Sequence, residues 1–501
     1  MKSVVPLLFA PVIVALATKR APISPDTLSS QISLDYLLEG TQKLQEFAYS
    51  YPQRNRVFGG AAHNDTLNYI YNELLQTGAY DLHRQPQVHT WTTGNQSLTV
   101  NGDTIDALSM VHSPSTNVTA ELAITPRLGC SPSDYDSSAV GKVLLTRRGG
   151  CSFASKSILA ASANAAGLII YNNVAGRLRG TLGNPNDPSS PFAPTIGISL
   201  LDGQRLLRSI TPNATSSNTT TATPSLRLTL YIHTESAPRL TYNVIAQTKD
   251  GDPTNIIAVG SHTDSVDAGP GINDNGSGTI SSLALARALA LTTSNTSFPL
   301  RHAVRFLFFT AEEFGLRGST YYLHSLSATD RAHIRLYLNF DMIASPNYAY
   351  MIYDGDGSSF NVSAPTGSGH IEKTFQGYFE SQNVSYQAAE FIRRSDYRAF
   401  MRHGIPVGGL FTGSDKVKTQ HEAEVFGGRM GVPYDPHYHG PGDTVGNLSP
   451  EAFLMNARAA AFAVASYARD LDGIPVRNVS RVVREGFGDK RGGGQGVVVA
   501  L

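Results

Sequence analysis

The chain has 501 residues, of which 41% are hydrophobic, so it is long enough for more than one domain and apolar enough to bury a core. Forty Lys and Arg residues balance forty Asp and Glu residues. A chain without net charge has no electrostatic drive towards nucleic acid or an anionic membrane, which argues against both as partners.

The N-terminus has the pattern of a secretory signal peptide. Lys2 precedes an apolar run from Val4 to Leu16, and small residues at 15 and 17 form a cleavage site, so we expect the signal peptide to be 1–17. The run is too short to cross a membrane, and no later segment has about eighteen uninterrupted apolar residues. We therefore expect a secreted protein without a membrane segment, with delivery to a vacuole as the alternative.

Cysteine and asparagine usage agrees with export. The only two cysteines, Cys130 and Cys151, are expected to form a disulfide, because an even number is typical of exported chains. The bond would close a loop of about 20 residues and contribute roughly 3 kcal/mol. The sequence contains eleven Asn-x-Ser/Thr sequons, which favour a glycoprotein. The sequon at Asn275 lies inside a dense chemical motif and is interpreted as accidental.

Hydrophobic periodicity predicts helices over 25–85 and strands over 95–125. From about 240, apolar strands alternate with the helical run TISSLALARALALT, and residues 451–471 predict a closing helix. This alternation is typical of an α/β protein with a mixed, mostly parallel sheet flanked by helices. We divide the chain into an N-terminal part, whose start is either kept or removed as a pro-segment, a β-rich insertion, a catalytic region and a Gly- and Arg-rich tail: 18–119, 120–234, 235–475 and 476–501.

Acidic and histidine side chains follow several predicted strands. His262 and Asp264 come at the end of NIIAVGS, where open α/β sheets place their sites. Since they are two residues apart in an extended chain, we expect Asp264 to accept a hydrogen bond from the His262 ring nitrogen that does not bind metal. The Gly-Pro-Gly sequence that follows lets the chain turn back and bring Asp274 near His262.

Two neighbouring glutamates, Glu312 and Glu313, follow the strand AVRFLFFT. Adjacent side chains point in different directions, so one can bind a metal while the other takes a proton from water on that metal. Asp341 follows a further apolar strand, and His439 lies in a loop rich in Gly and Pro. Five nitrogen and oxygen ligands exceed one open tetrahedral site and suit two metal ions, with zinc expected and cobalt or manganese as alternatives.

Together these motifs resemble the co-catalytic di-zinc aminopeptidases, particularly the secreted bacterial and fungal leucine aminopeptidases and the vacuolar aminopeptidase of yeast. The matching stretches, in the family's order between about 255 and 445, are SHTDS, AGPGINDNGSG, FFTAEEFGLRGS, NFDMI, RRSDY, GLFTG and YHGPGDT. Each stretch alone is weak evidence, whereas the ordered set is highly specific. The resemblance implies two zinc ions per chain and hydrolysis of peptides that have a free N-terminus, with leucine-like residues preferred.

The resemblance also implies a role for each residue. Asp274 bridges the two zinc ions, Glu312 is the general base, and Asp264 orients a ligand histidine. Tyr438 donates to the oxyanion, and Arg394 lies near the substrate, although a structural salt bridge accounts for Arg394 almost as well. The remaining ligands divide between the ions, with His262 and Asp341 on one and Glu313 and His439 on the other.

The β-rich insertion resembles the protease-associated domain. The similarity lies in GC at 129–130, RRGGCSF at 147–153, Lys156 and AGLIIYNN at 166–173. Such modules are inserted in the N-terminal part of some of these peptidases. The Cys130–Cys151 disulfide would then lie within the module, away from the zinc site.

Two other functions are compatible with parts of the sequence. A carboxypeptidase would use the same metal centre, but such relatives carry a further helical dimerisation domain, and only about 60 residues follow His439. A non-catalytic binding protein built on the protease-associated domain needs no metal ligands. We therefore predict a monomeric aminopeptidase. Among the other polar residues of the motifs, His437 is interpreted as an exposed loop residue, Asp443 as a turn cap and Asp396 as structural.

Overall fold

The structure, a computed structural model, describes residues 24–174, 176–182, 191–210, 226–295, 300–362, 364–392 and 394–477. The predicted signal peptide and nearly all of the predicted tail lie outside these residues. The chain forms two compact units: the first comprises the chain up to His89 and from Arg239 onward, and the second comprises Thr90–Pro238. In the part that the structure describes, no helix combines the length and apolar character needed to cross a bilayer.

The α-helices in chain order are α1 Pro25–Ser30, α2 Leu34–Tyr49, α3 Ala61–Thr77, α4 Phe153–Ser162, α5 Leu200–Ile210, α6 Gly278–Asn295, α7 Arg317–Ser325, α8 Ala328–His333, α9 Ser368–Ser381, α10 Tyr397–Arg402, α11 Gln420–Phe426 and α12 Pro450–Arg469. The β-strands are β1 Tyr80–Val100, β2 Asp103–Ile105, β3 Ala107–Ser109, β4 Thr116–Ile124, β5 Val143–Arg147, β6 Gly167–Tyr171, β7 Thr195–Ile198, β8 Arg227–Thr248, β9 Asp252–His262, β10 His302–Phe309, β11 Ile334–Phe340, β12 Met351–Tyr353, β13 Gln387–Ala389 and β14 Val407–Phe411.

The helices predicted over 25–85 are present as α1 to α3, but the prediction is wrong at its C-terminal end. Gly78 adopts a left-handed conformation with φ of 66° and ends α3. A glycine in this conformation is a common helix stop, because it has no Cβ to clash. The chain then enters β1 at Tyr80.

The sheet of the first unit has the strand order β13-β12-β14-β11-β9-β10, followed by the C-terminal part of β8. Neighbours pair in parallel along β14-β11-β9-β10 and between β12 and β13. The pairs β12–β14 and β10–β8 are antiparallel. The prediction of a mixed, mostly parallel sheet is therefore confirmed.

Helices cover both faces of this sheet. Successive residues of a strand point to opposite faces. Val259 and Phe308 belong to a buried cluster with residues of α2, α3, α6 and α12, whereas their neighbours Ala258 and Leu307 belong to a second cluster with α7 and α10. Since both faces are apolar and covered, polar side chains converge at the carboxyl ends of the strands.

The second unit has the strand order β8-β4-β5-β6-β7-β3, formed with the N-terminal part of β8. The pairs along β4-β5-β6-β7 are parallel, and α4 connects β5 to β6. Cys130 and Cys151 form the predicted disulfide, with 5.8 Å between their Cα atoms. Beside it, the buried Lys156 donates a hydrogen bond from its ammonium group to the Leu128 carbonyl oxygen.

Candidate metal centre and active site

Four of the predicted site residues follow the carboxyl ends of neighbouring strands. His262 is the last residue of β9, Asp341 directly follows β11, and Glu312 and Glu313 come shortly after β10. Because β9 lies between β10 and β11 and pairs in parallel with both, these ends meet at one edge of the sheet. The structure thus brings the four side chains together.

Asp274 lies between two histidines. Its Oδ1 is 3.2 Å from His262 Nε2, and its Oδ2 is 3.1 Å from His439 Nε2. It is carried there by the helical turn Ile272–Ser277, in which Asp274 itself has non-helical backbone angles, just before α6. The two oxygens of one carboxylate therefore face two different imidazoles, an arrangement suited to a carboxylate that two metal ions share.

Two candidate ligand groups share Asp274. The strand-end group consists of His262, Asp274 and Asp341, with 3.5 Å between His262 Nε2 and Asp341 Oδ1. The loop group consists of Asp274, Glu313 and His439, with 3.0 Å between His439 Nε2 and Glu313 Oε2. In each group the potential ligand atoms lie within 4.8 Å of one another.

The donor atoms of these groups fit a metal. Within the described residues, the buried atoms His262 Nε2 and Glu313 Oε1 have no hydrogen-bond partner, although His262 Nε2 lies 3.2 Å from a carboxylate oxygen. Leaving a buried polar atom without a partner is costly, so lone pairs that converge without hydrogen bonds indicate a cation between them. Imidazole and carboxylate donors without a thiolate suit zinc in an open site.

The carboxylates create a strongly negative field. Burial lowers the pKa of His262, but the nearby Asp341 and Glu312 carboxylates overcome this effect and raise that pKa well above its ordinary value. Burial also lowers the pKa of His439, but Glu313 and its neighbours raise it to about 10. Positive charge is therefore favoured between these groups, as a cation site requires.

Glu312 lies beside the two groups and belongs to neither. Its Oε2 is 3.9 Å from His262 Nε2, and its side chain is buried. Burial raises the pKa of Glu312 well above its ordinary value, and the Glu313 and Asp341 carboxylates act in the same direction. A carboxylate with a raised pKa can hold a proton, which suits a residue that takes one and returns it.

The contacts of Asp264 differ from the prediction. His262 Nδ1 lies 3.2 Å from the backbone carbonyl oxygen of Asp264 and 3.7 Å from its carboxylate. The carboxylate instead accepts a hydrogen bond from the backbone N–H of Glu312 at 3.0 Å. The prediction assumed an extended chain through Asp264, whereas β9 ends at His262. The backbone carbonyl fixes the ring tautomer, because Nδ1–H donates to it and leaves Nε2 free for a metal.

Sequence reasoning missed two contacts that support the candidate ligands. Asp443 caps a turn that is distant in the sequence. Its carboxylate accepts hydrogen bonds from the backbone N–H groups of Asn273 and Asp274, at 2.7 and 3.0 Å. Ser395 Oγ donates to Asp341 Oδ2 at 2.6 Å. These pairs are far apart in the sequence, so no local pattern indicates them.

Two of the remaining predicted residues lie at a cavity of about 330 Å³. Tyr438 and Arg394 line it, and the Tyr438 ring stacks on the His439 ring with 3.9 Å between centroids. His437 is exposed and belongs to neither ligand group, and Asp396 is buried at the start of α10. The cavity also has an apolar lining, formed by Leu316, Met342, Tyr353, Ile392 and Phe411.

Comparison with known structures agrees with this architecture. An aminopeptidase from Aneurinibacillus sp. strain AM-1 superposes with a TM-score of 0.69 and 26% identity, covering 91% of this chain and 98% of that chain. A zinc aminopeptidase from Bacillus subtilis superposes with a TM-score of 0.63 at 23% identity, covering 89% and 98%. The second similarity concerns the fold alone.

Comparison with known sequences identifies the family. The model of peptidase family M28 matches residues 243–464, and that of the PA domain matches 118–206. Probable leucine aminopeptidase 2 of Aspergillus fumigatus is 54% identical over 92% of this chain and 89% of the relative. The corresponding protein of Aspergillus oryzae is 52% identical over 95% and 92%. The chain therefore belongs to peptidase family M28.

Proposed function

We propose that this M28 peptidase is an aminopeptidase that holds two zinc ions and releases leucine-like residues from the N-termini of peptides. The fungal relatives, which are named leucine aminopeptidases, support the reaction and the preferred residue. The observation that carries the two-metal proposal is the division of the Asp274 carboxylate between His262 and His439. A carboxylate that faces both ligand groups would let each group hold one metal ion of a two-metal site.

In this proposal His262 and Asp341 hold one zinc ion, Glu313 and His439 hold the other, and Asp274 serves both. When bound, the ions supply Lewis acidity towards the peptide carbonyl and lower the pKa of a water molecule. The assignment also gives partners to His262 Nε2 and Glu313 Oε1, which are otherwise buried without any among the described residues.

The chain's own residues move the protons. Glu312 takes a proton from the attacking water and later gives it to the amine that leaves, so one carboxylate acts first as base and then as acid. The Asp264 carboxylate holds the backbone of Glu312 in place through its 3.0 Å hydrogen bond. Tyr438 lines the same cavity, and its hydroxyl group donates a hydrogen bond to the oxyanion as negative charge develops there.

The cavity supports the preference for an apolar first residue. Met342, Tyr353 and Phe411 offer apolar surface beside the candidate metal ligands. Full burial of a leucine side chain contributes roughly 1.5–3 kcal/mol. Arg394 is exposed and lines the same cavity, where it would contact a part of the substrate other than the leucine side chain.

A panel of aminoacyl-anilides tests the proposal. We expect Leu-anilide to be cleaved faster than Asp-, Lys- or Gly-anilide, and N-acetyl-Leu-anilide to be inert, because the N-terminal amine must be free. A chelator should abolish activity, and zinc should restore it with two ions per chain. Release of the C-terminal residue from a longer N-acetylated peptide with a free carboxylate would show a carboxypeptidase instead. Full activity after metal removal would contradict the zinc centre.

We further propose that the protein is secreted as a monomer after removal of residues 1–17, on the strength of the N-terminal pattern and the sequons. The N-terminal residue, the mass and the glycan content of protein recovered from the culture medium test this proposal. Retention inside the cell would favour a vacuolar enzyme.

A further inference from the structure

We infer that Arg56 is a positioning residue for the metal centre, because its guanidinium fixes the turn that joins His262 to Asp274. The inference rests on the proposed function, since it presupposes that these two residues bind metal. Arg56 lies in the connection between α2 and α3, about 200 residues before either of them, and its side chain is completely buried.

Three hydrogen bonds join the guanidinium to both ends of the turn. Nε donates to the Pro270 carbonyl oxygen at 2.8 Å, and Nη2 donates to the Gly271 carbonyl oxygen at 2.5 Å. Nη1 donates to the carbonyl oxygen of Thr263. Thr263 directly follows the histidine of the strand-end group, and Gly271 precedes the shared carboxylate by three residues. The planar fork of arginine therefore sets the spacing between the two candidate ligands.

The backbone around Arg56 strengthens this connection. Its N–H donates to Ser265 Oγ at 2.8 Å, and its carbonyl oxygen accepts the Ser265 N–H at 3.2 Å. Gly271 has a left-handed φ of 66°, and a Cβ at this position would lie 2.5 Å from the Ser265 side chain. A side chain at position 271 would therefore collide with Ser265, and the Arg56 guanidinium lies 3.3 Å from the same point.

The hydrogen-bond partners of Arg56 argue for a positioning role. The three hydrogen bonds go to carbonyl oxygens and not to carboxylates. Burial lowers the pKa of Arg56 to about 10 although nearby carboxylates, chiefly those of Asp264 and Asp443, act in the opposite direction, so the group stays charged at neutral pH. A fixed cation near a site for two cations weakens their binding electrostatically. Geometry therefore has to offset this repulsion if Arg56 favours metal binding.

Two substitutions separate geometry from charge. Arg56→Lys keeps the charge and removes the fork, whereas Arg56→Met removes both. We expect zinc to leave both variants at least about tenfold faster than the wild type when a chelating dye is added, the size typical of residues that orient metal ligands. Unfolding temperatures of the zinc-free proteins are measured in parallel, and Arg56→Lys carries the test should Arg56→Met not fold.

Arg335→Lys is the matched control. Arg335 is also buried and also donates to carbonyl oxygens, at Ile474 and Pro475, but it lies near the start of β11, opposite the end that carries the site. We expect this variant to lose thermal stability and to keep the wild-type rate of zinc release.

Each outcome decides the inference. Wild-type zinc retention in Arg56→Lys, or tighter retention in Arg56→Met, overturns it, the latter because charge alone would then explain the residue. Equally fast zinc release from Arg335→Lys would also overturn the inference, since a general loss of stability would then explain the effect of both substitutions. A wild-type protein without zinc would instead overturn the proposed function, on which the inference depends.

Discussion

The strand-end group and the loop group use similar side chains but place them by different means. His262 ends a central strand, and its side chain is 1% exposed, whereas the side chain of His439 is 24% exposed and its backbone adopts a left-handed φ of 53° in a loop. Asp341 likewise follows a buried strand. The comparison teaches that the sheet holds one histidine of the centre and a loop holds the other, while both groups contribute side chains to the cavity, Asp341 from the first and Glu313 and His439 from the second.

The loop group is nevertheless held in place. The backbone N–H of Tyr438 donates to the Asp435 carbonyl oxygen at 3.3 Å, and that of Gly440 donates to the His437 carbonyl oxygen at 2.9 Å. Asp435 accepts the backbone N–H of His437 at 2.8 Å, two residues before His439. Hydrogen bonds to backbone groups thus hold the loop that carries His439, as strand pairing holds the strand that carries His262.

Removal of one histidine at a time tests the comparison most severely. We expect His262→Ala and His439→Ala each to lose one zinc ion and nearly all turnover. When a chelator is added, the ion that remains in His439→Ala should leave more slowly than the ion that remains in His262→Ala, because the buried strand-end group holds the former. Zinc per chain and release rate are measured together, and faster release from His439→Ala would reverse the comparison.

Adjacent residues should separate binding from proton transfer. Glu312→Gln should keep both zinc ions and lose about 10²–10⁴-fold in turnover, because the amide cannot take a proton. Glu313→Gln should instead lose zinc from the loop group, which contains the Glu313 carboxylate. Near wild-type turnover of Glu312→Gln with Leu-anilide would remove Glu312 from its proposed role.

Ser395→Ala should weaken only the strand-end ion. The hydroxyl orients Asp341 through its 2.6 Å hydrogen bond and is itself held by Asn339 Nδ2 at 2.9 Å. Loss of such a supporting contact typically costs 10–100-fold in metal affinity or activity. Titration of zinc into the metal-free variant should therefore show one weakened site and one unchanged site. Equal weakening of both sites would contradict the division into two groups.

The smallest effect is expected at His437. It is exposed and belongs to neither ligand group, although it lies two residues from His439. His437→Ala should change turnover and zinc affinity by no more than about twofold, as is usual for exposed positions without specific contacts. A larger loss of zinc would make it part of the loop group.

The strands could be predicted from the sequence, because β9, β10 and β11 each contain a short apolar run that ends close to polar residues. Periodicity also located α12 to within two residues. The contacts of Asp264 could not be predicted, because they depend on where β9 stops. Asp443 and Arg56 act on segments about 170 and 215 residues away, and such pairings arise only when the whole sheet is assembled.

Asn275 shows what the density of the centre means for making the protein. It belongs to a sequon, yet it is completely buried: its amide donates to the Phe340 carbonyl oxygen at 2.9 Å and accepts the N–H of Gly278 at 2.9 Å. A eukaryotic secretory host attaches sugars to such sequons before the chain has folded. A sugar on Asn275 cannot be accommodated next to Asp274. Glycan transfer to Asn275 before the core closes would therefore prevent the chain from reaching the folded state that forms the centre.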